Sequence, residues 1–165
     1  EALQQMTTFD VTIVVGKAAI YYPGEITHWV SFHSTLFPKW REKRRAKGYP
    51  DPKSYWTSIY HGRRPAPELD GIPLLGHVAC DGGSSGLVAV IVALEAVGAD
   101  RVALAGMPMQ NERGHVDEDK AWDEAQNYRH AWIEAFARLS GRVRSMSGWT
   151  MDLLGGLPPT REWLE

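Results

Sequence analysis

The stretch His77–Met109, HVACDGGSSGLVAVIVALEAVGADRVALAGMPM, decides how the rest of the chain is read. It spells a short strand, a glycine-serine turn, a buried helix and a second buried strand. The turn Asp81-Gly82-Gly83-Ser84-Ser85-Gly86 falls where the first strand gives way to the helix. Amide N–H groups at a helix start have no intrahelical acceptor, and the aligned peptide dipoles add partial positive charge there. Such a turn is suited to hold a phosphate or a carboxylate. Adjacent glycines let the backbone come close to a ligand, and Ser84 or Ser85 is placed to cap the helix. The same residues also fit a purely structural role, with glycines turning the chain and a serine capping it. Both readings stand at this point.

Working outward, Ser85–Val97 reads as a helix that is apolar nearly all round through Leu87, Val88, Val90, Ile91, Val92 and Leu94. A helix of that kind is sandwiched between layers. Gly98 ends it, and Arg101–Gly106 reads as a buried strand. Upstream, Val11–Val15 is mostly β-branched, as in a parallel strand buried on both faces. Lys17–Gly24 reads as a turn or short helix, and His28–His33 as a short strand offering Trp29 and Phe32 for burial. Pro38–Lys47 opens on proline and stops before Gly48, the punctuation of a short helix. Tyr49–Pro73, rich in proline, glycine and aromatics, is expected to be a long irregular excursion holding one strand at Trp56–Tyr60.

Further on, Asp117–Leu139 reads as an amphipathic helix with Trp122, Ala125, Tyr128, Trp132, Ile133 and Phe136 as its buried stripe. Gly141 stops it, Val143–Met146 is a last strand, and Gly148–Glu165 is a C-terminal tail with no clear period. This alternation predicts one α/β domain over residues 1–165, a three-layer fold on a mainly parallel sheet. In such sheets ligands gather beyond the carboxyl ends of the strands. Gly16, Asp81–Gly86 and Gly106–Met109 all follow expected strands there and should converge on one crevice.

Composition narrows the class. The 165 residues suffice for a real core, and seven tryptophans suit a folded globule. A net charge of −2 gives no sign of general nucleic-acid binding. The single cysteine, Cys80, excludes an internal disulfide framework and fits a reducing, cytoplasmic setting. No apolar run has the length of a membrane span and no signal peptide is visible, so no membrane partner is expected. The opening segment EALQQM has no initiating methionine and looks helical, as expected of a processed chain or one that begins beyond its first strand. A parallel sheet without a central strand exposes unpaired edges, which makes a second copy or another protein chain an expected contact.

Other candidates carry weaker chemistry. His115 sits in the polar loop QNERGHVDED beside Asp117, Glu118 and Asp119. A histidine oriented by a carboxylate abstracts a proton near neutral pH, whereas the acids alone also favour a helix start. His33 should project near a strand's carboxyl end as a ligand contact or as a hydrogen-bonded edge residue. His28, His33, His61 and His77 match no zinc spacing, and no metal is assigned. The basic run Lys39, Arg41, Lys43, Arg44, Arg45 and Lys47, with Arg63 and Arg64, is interleaved with Trp40, Tyr49, Tyr55 and Trp56. It reads first as a solvated helix face, and otherwise as a cover for nucleotide phosphates or a contact for a nucleic acid, the weaker third reading. Asp81 either holds a ribose hydroxyl or forms a local Asx turn.

Ser84–Met109, SSGLVAVIVALEAVGADRVALAGMPM, resembles the serine-Gly, buried helix, Gly, buried strand, Gly-hydrophobic segment of bacterial sialyltransferases. The pattern is shared by hydroxymethylpterin diphosphokinase-like proteins and by phage-encoded relatives. Phe9–His33 resembles their second strand and the loop after it, so the likeness covers about half the chain. It implies a Rossmann-like fold, transfer from a nucleotide-activated donor, and no required metal. On it, Gly16, Asp81, Gly82, Gly83, Ser84, Ser85 and Gly86 hold the nucleotide or nucleotide-sugar. His33 and Met107 meet the substrate, and His115 is the catalytic base. The family's Gly-rich loop after its first strand is missing here, and Gly16 stands where an asparagine is usual. The expected function is therefore a nucleotide-dependent glycosyl or phosphoryl transferase, in the cytoplasm or the host cytoplasm. The alternative is a non-catalytic or virion-associated structural module on the same fold.

Overall fold

A computed structural model of the chain describes residues 9–59, 68–69, 72–79, 84–110 and 125–165. The contacts divide it into two compact units, Val11–Val92 and a second that gathers 93–165 with Phe9 and Asp10. Both are α/β with parallel strand pairing. Among the described residues no helix is long and apolar enough to cross a membrane.

The first unit holds strands β1 (Ile13–Val15), β2 (His28–Val30), β3 (Ser54–Ile59), β4 (Glu68–Leu69) and β5 (Ile72–Ala79). They form one sheet in the order β1-β2-β3-β5-β4, parallel except for the β4–β5 hairpin. Parallel neighbours need a crossover, and the connections β1 to β2 and β2 to β3 are described in full. A 3-10 turn, Gly16–Ile20, follows β1. Helix α1 (Phe37–Ala46) follows β2, with Pro38 in its first turn and Gly48 beyond its end at φ +77°. The register shifts between Tyr55 and Trp56, where β3 meets β5. There the Trp56 ring lies over Gly76, and an added Cβ at Gly76 would sit 2.5 Å from it.

Between sheet and α1 lies an aromatic core. Trp29 meets Phe37 edge-on at 5.6 Å and stacks with Tyr55 at 5.8 Å and Trp40 at 6.3 Å. Ala19, Ile20 and Ile26 close it. Helix α2 (Ser85–Ile91) packs on β1 and β2 and is buried from Gly86 onward. It continues as a π-helical segment, Val92–Val97.

The second unit pairs β6 (Val102–Leu104) with β7 (Val143–Ser145) in parallel, Val102 opposite Val143. Between them in the chain runs α3, described over Ala125–Leu139. Its buried residues are Ala125, Ala131, Trp132, Ala135 and Leu139. Ile133 and Phe136, expected in that stripe, are instead 55% and 39% exposed. The buried line runs through 125, 132, 135 and 139, spacings of seven, three and four that keep to one helix face, and both residues lie one position off it. The tail, expected to lack period, holds two short helices, α4 (Gly148–Leu153) and α5 (Arg161–Leu164). The side chain of Trp163 lies between Arg101 and Arg144, 5.8 and 4.8 Å from their guanidinium carbons.

The excursion expected at Tyr49–Pro73 contains an interior strand. β3 is bonded on both sides, to β2 and β5. Its polar serines and threonine face neighbours that only the assembled sheet supplies. The strand expected at His28–His33 ends at Val30, after which the chain turns.

Candidate functional site

The carboxyl ends of β1 and β2 and the start of α2 are tied together by named bonds. After β1, Gly16 takes φ +52°, a backbone region that favours glycine, and a Cβ there would meet nothing within 4 Å among the described residues. Its carbonyl accepts the Trp29 indole N–H at 2.8 Å. After β2, the buried Ser31 accepts the His33 amide at 3.0 Å. The Phe32 amide donates to Ser85 Oγ at 3.0 Å, which joins this bend to the first turn of α2. Ser84 is the N-cap. Its Oγ accepts from the Leu87 amide at 3.4 Å, and its carbonyl takes the first intrahelical bond, from Val88, at 3.2 Å. The amides of Ser85 and Gly86 stand ahead of both bonds, at the positive end of the helix dipole.

Gly16, His33, Ser84, Ser85 and Gly86 therefore belong to one edge of the first unit. His33 is exposed there, just before a 3-10 turn at Ser34–Leu36. Asp81, Gly82, Gly83 and His115 lie outside the described residues, as do Cys80, His61, Arg63, Arg64 and Trp122. Met107 belongs to the second unit, where its carbonyl accepts the Thr150 hydroxyl at 2.6 Å.

Several residues of the first unit gain roles that single-sequence reading does not supply. Arg44, from the basic run, is fully buried. It donates from Nε to the Pro50 carbonyl (2.6 Å), from Nη1 to those of Ala19 and Tyr22 (both 2.6 Å), and from Nη2 to that of Gly24 (2.9 Å). Arg41 and Arg45 converge on Asp51 at 2.8 and 2.5 Å. Hydrogen bonding to Arg45, aided by Arg41, holds the Asp51 carboxyl down at about 2. The inner part of this basic run thus knits α1 to the loops around it. Burial pushes the Tyr55 phenol up to about 12, and its hydroxyl has no hydrogen-bond partner among the described residues.

At the opposite edge of the same sheet, His28 Nδ1 lies 2.5 Å from Ser54 Oγ and receives the Trp56 indole N–H at 3.3 Å. An indole only donates, so Nδ1 acts as acceptor and the ring is neutral. Burial lowers the His28 pKa in the same direction. Among the described residues no three histidine, cysteine or acidic side chains gather as a metal site.

Compared with protein-family models, with curated proteins and with solved structures, the chain matches none.

Proposed function

We propose that Val11–Val92 binds the phosphate of a nucleotide where Gly16, Phe32–His33 and Ser84–Gly86 meet, and that the chain is a nucleotide-dependent transferase. On this reading the fold is the Rossmann-like, three-layer arrangement of the sialyltransferase-like and diphosphokinase-like proteins. The donor is a nucleotide or nucleotide-sugar, His115 is the base, and the protein works in the cytoplasm. The observation that carries the reading is the Phe32–Ser85 bond, which brings a strand-end bend and a helix start to one edge.

The test is thermal unfolding with CMP, CDP, UDP, GDP and ATP. A nucleotide that binds only the folded chain stabilises it by about 2.7 kcal/mol at a hundredfold excess over Kd. Ser84→Asp should remove that gain without unfolding the protein. Aspartate is as good an N-cap as serine, yet it sets a negative charge where the phosphate would lie.

A second reading, a non-catalytic or virion-associated structural module, draws on a different feature of the same turn. Both serine hydroxyls already accept backbone amides. No shift with any of the five nucleotides would favour this module.

A further inference from the structure

The second unit carries a feature that the nucleotide reading does not use. β6 runs into the loop 105–110, where Met109 takes φ +51° with its side chain 3% exposed. A buried non-glycine residue in the left-handed region is held there by its surroundings, and such residues cluster at ligand clamps. The holding groups are explicit. Arg129, on α3, donates to the Met109 carbonyl from Nε at 3.0 Å and from Nη2 at 2.8 Å. Thr150, fully buried, donates to the Met107 carbonyl and in turn accepts from Ser145 at 2.9 Å. A strained loop is thus fixed from both sides at the carboxyl end of a parallel strand, where ligands of such sheets collect.

Arg129 is used by only half. Its side-on edge, Nε with Nη2, is spent on Met109, while its end-on edge, Nη1 with the second Nη2 proton, has no partner among the described residues. The guanidinium carbon lies 4.9 Å over the Trp149 ring, a cation–π contact. The Trp149 indole N–H is likewise without a partner among the described residues. Arg41, Arg45, Arg138 and Arg161 each meet a carboxylate. Arg129 is half-buried and, among the described residues, meets no carboxylate and donates to one carbonyl alone.

We infer that Arg129 and Trp149, at the carboxyl ends of β6 and β7, form a binding site for an oxyanion carried by a small molecule. Two parallel N–H groups match two oxygens of a carboxylate or a phosphate ester in one plane.

The experiment follows the tryptophan indole signals of the full 15N-labelled chain while inorganic phosphate or benzoate is added. Trp149 is assigned by its proximity to the Arg129 side chain and by Trp149→Phe. Its indole signal should move saturably with at least one probe. Phosphate alone would identify a phosphate ester as the natural group, and benzoate alone a carboxylate. Arg129→Lys keeps a donor for Met109 but loses the planar fork, and should weaken the response by about tenfold. Ser84→Asp should leave it unchanged, which separates this site from the nucleotide reading and lets either fail alone. A Trp149 signal that moves with neither probe overturns the inference. So does one that moves equally in Arg129→Lys, or one that is lost in Ser84→Asp.

Discussion

Arg44 and Arg129 lie in different units and put the same side chain to different uses. Arg44 is fully buried in Val11–Val92 and spends its donors on four backbone carbonyls from two loops. Arg129 is half-buried in the second unit and gives two donors to a single carbonyl. A guanidinium whose geometry is consumed by the backbone is part of the scaffold, because any ligand would have to displace those bonds. One with an edge to spare, at a strand end, retains binding capacity. The lesson is to count satisfied donors before assigning chemistry to a basic run.

The largest expected effect would break this contrast from the Arg44 side. Arg44→Met leaves up to four carbonyls without their donor in a buried place, and should cost about 3 kcal/mol or more, read as a fall in the urea midpoint. Arg44→Lys should recover less than half of that, since an ammonium cannot span acceptors on both sides of a planar fork. Wild-type stability in Arg44→Met would mean that the buried arginine is not what joins α1 to its loops.

Next in size is Gly148→Ala in the second unit. Gly148 has φ +71°, and a Cβ there would sit 2.7 Å from the Pro108 Cα and carbonyl oxygen. Backbone cannot yield as a side-chain tip does, so a loss of about 2 kcal/mol is expected from chemical denaturation. Gly156→Ala is the control. Its φ is also +71°, but its Cβ meets nothing within 4 Å among the described residues, so it reports conformational strain alone. If the two substitutions cost the same, the close approach to Pro108 contributes nothing, and the loop after β6 is held only by Arg129 and Thr150.

These two arginines also mark how far the sequence could be read. The β-branched run around Ile13–Val15, the proline-led helix α1 and the glycine stops at Gly48, Gly98 and Gly141 were legible because each rests on neighbours within one or two turns. All three glycines take the positive φ that a helix stop calls for. β3 was only half legible. SYWTSI is polar enough to pass for loop, and its place in the sheet interior depends on pairing with β2 and β5, residues far off in the chain. Arg44 was illegible for the same reason, since its acceptors lie 6 to 25 positions away. Of the candidate site, the serine cap and the glycine after β1 were readable. The Phe32–Ser85 bond, spanning 53 positions, was not. Neither was the role of Arg129, which depends on a carbonyl 20 positions upstream and on a tryptophan in the tail.

The smallest effect sharpens the comparison through acid. Asp51 is shared by Arg41 and Arg45, and its carboxyl is lowered from 3.8 to about 2. A depressed carboxylate stabilises the fold above its unfolded pKa, and that stability is lost as pH falls from about 4 through about 2. Arg45 is half exposed, so water screens much of the attraction. Asp51→Asn should therefore cost about 1 kcal/mol at pH 7 and only a small part of that at pH 2, measured as the difference between the unfolding midpoints of wild type and variant across that range. In the second unit, Glu95 meets Arg138 alone among the described residues, with both side chains half exposed. Glu95→Gln should change stability by no more than about 0.5 kcal/mol at pH 7. Equal responses from the two acids would mean that convergence of two arginines on one carboxylate adds nothing. The basic run of the first unit would then owe its structural role to Arg44 alone.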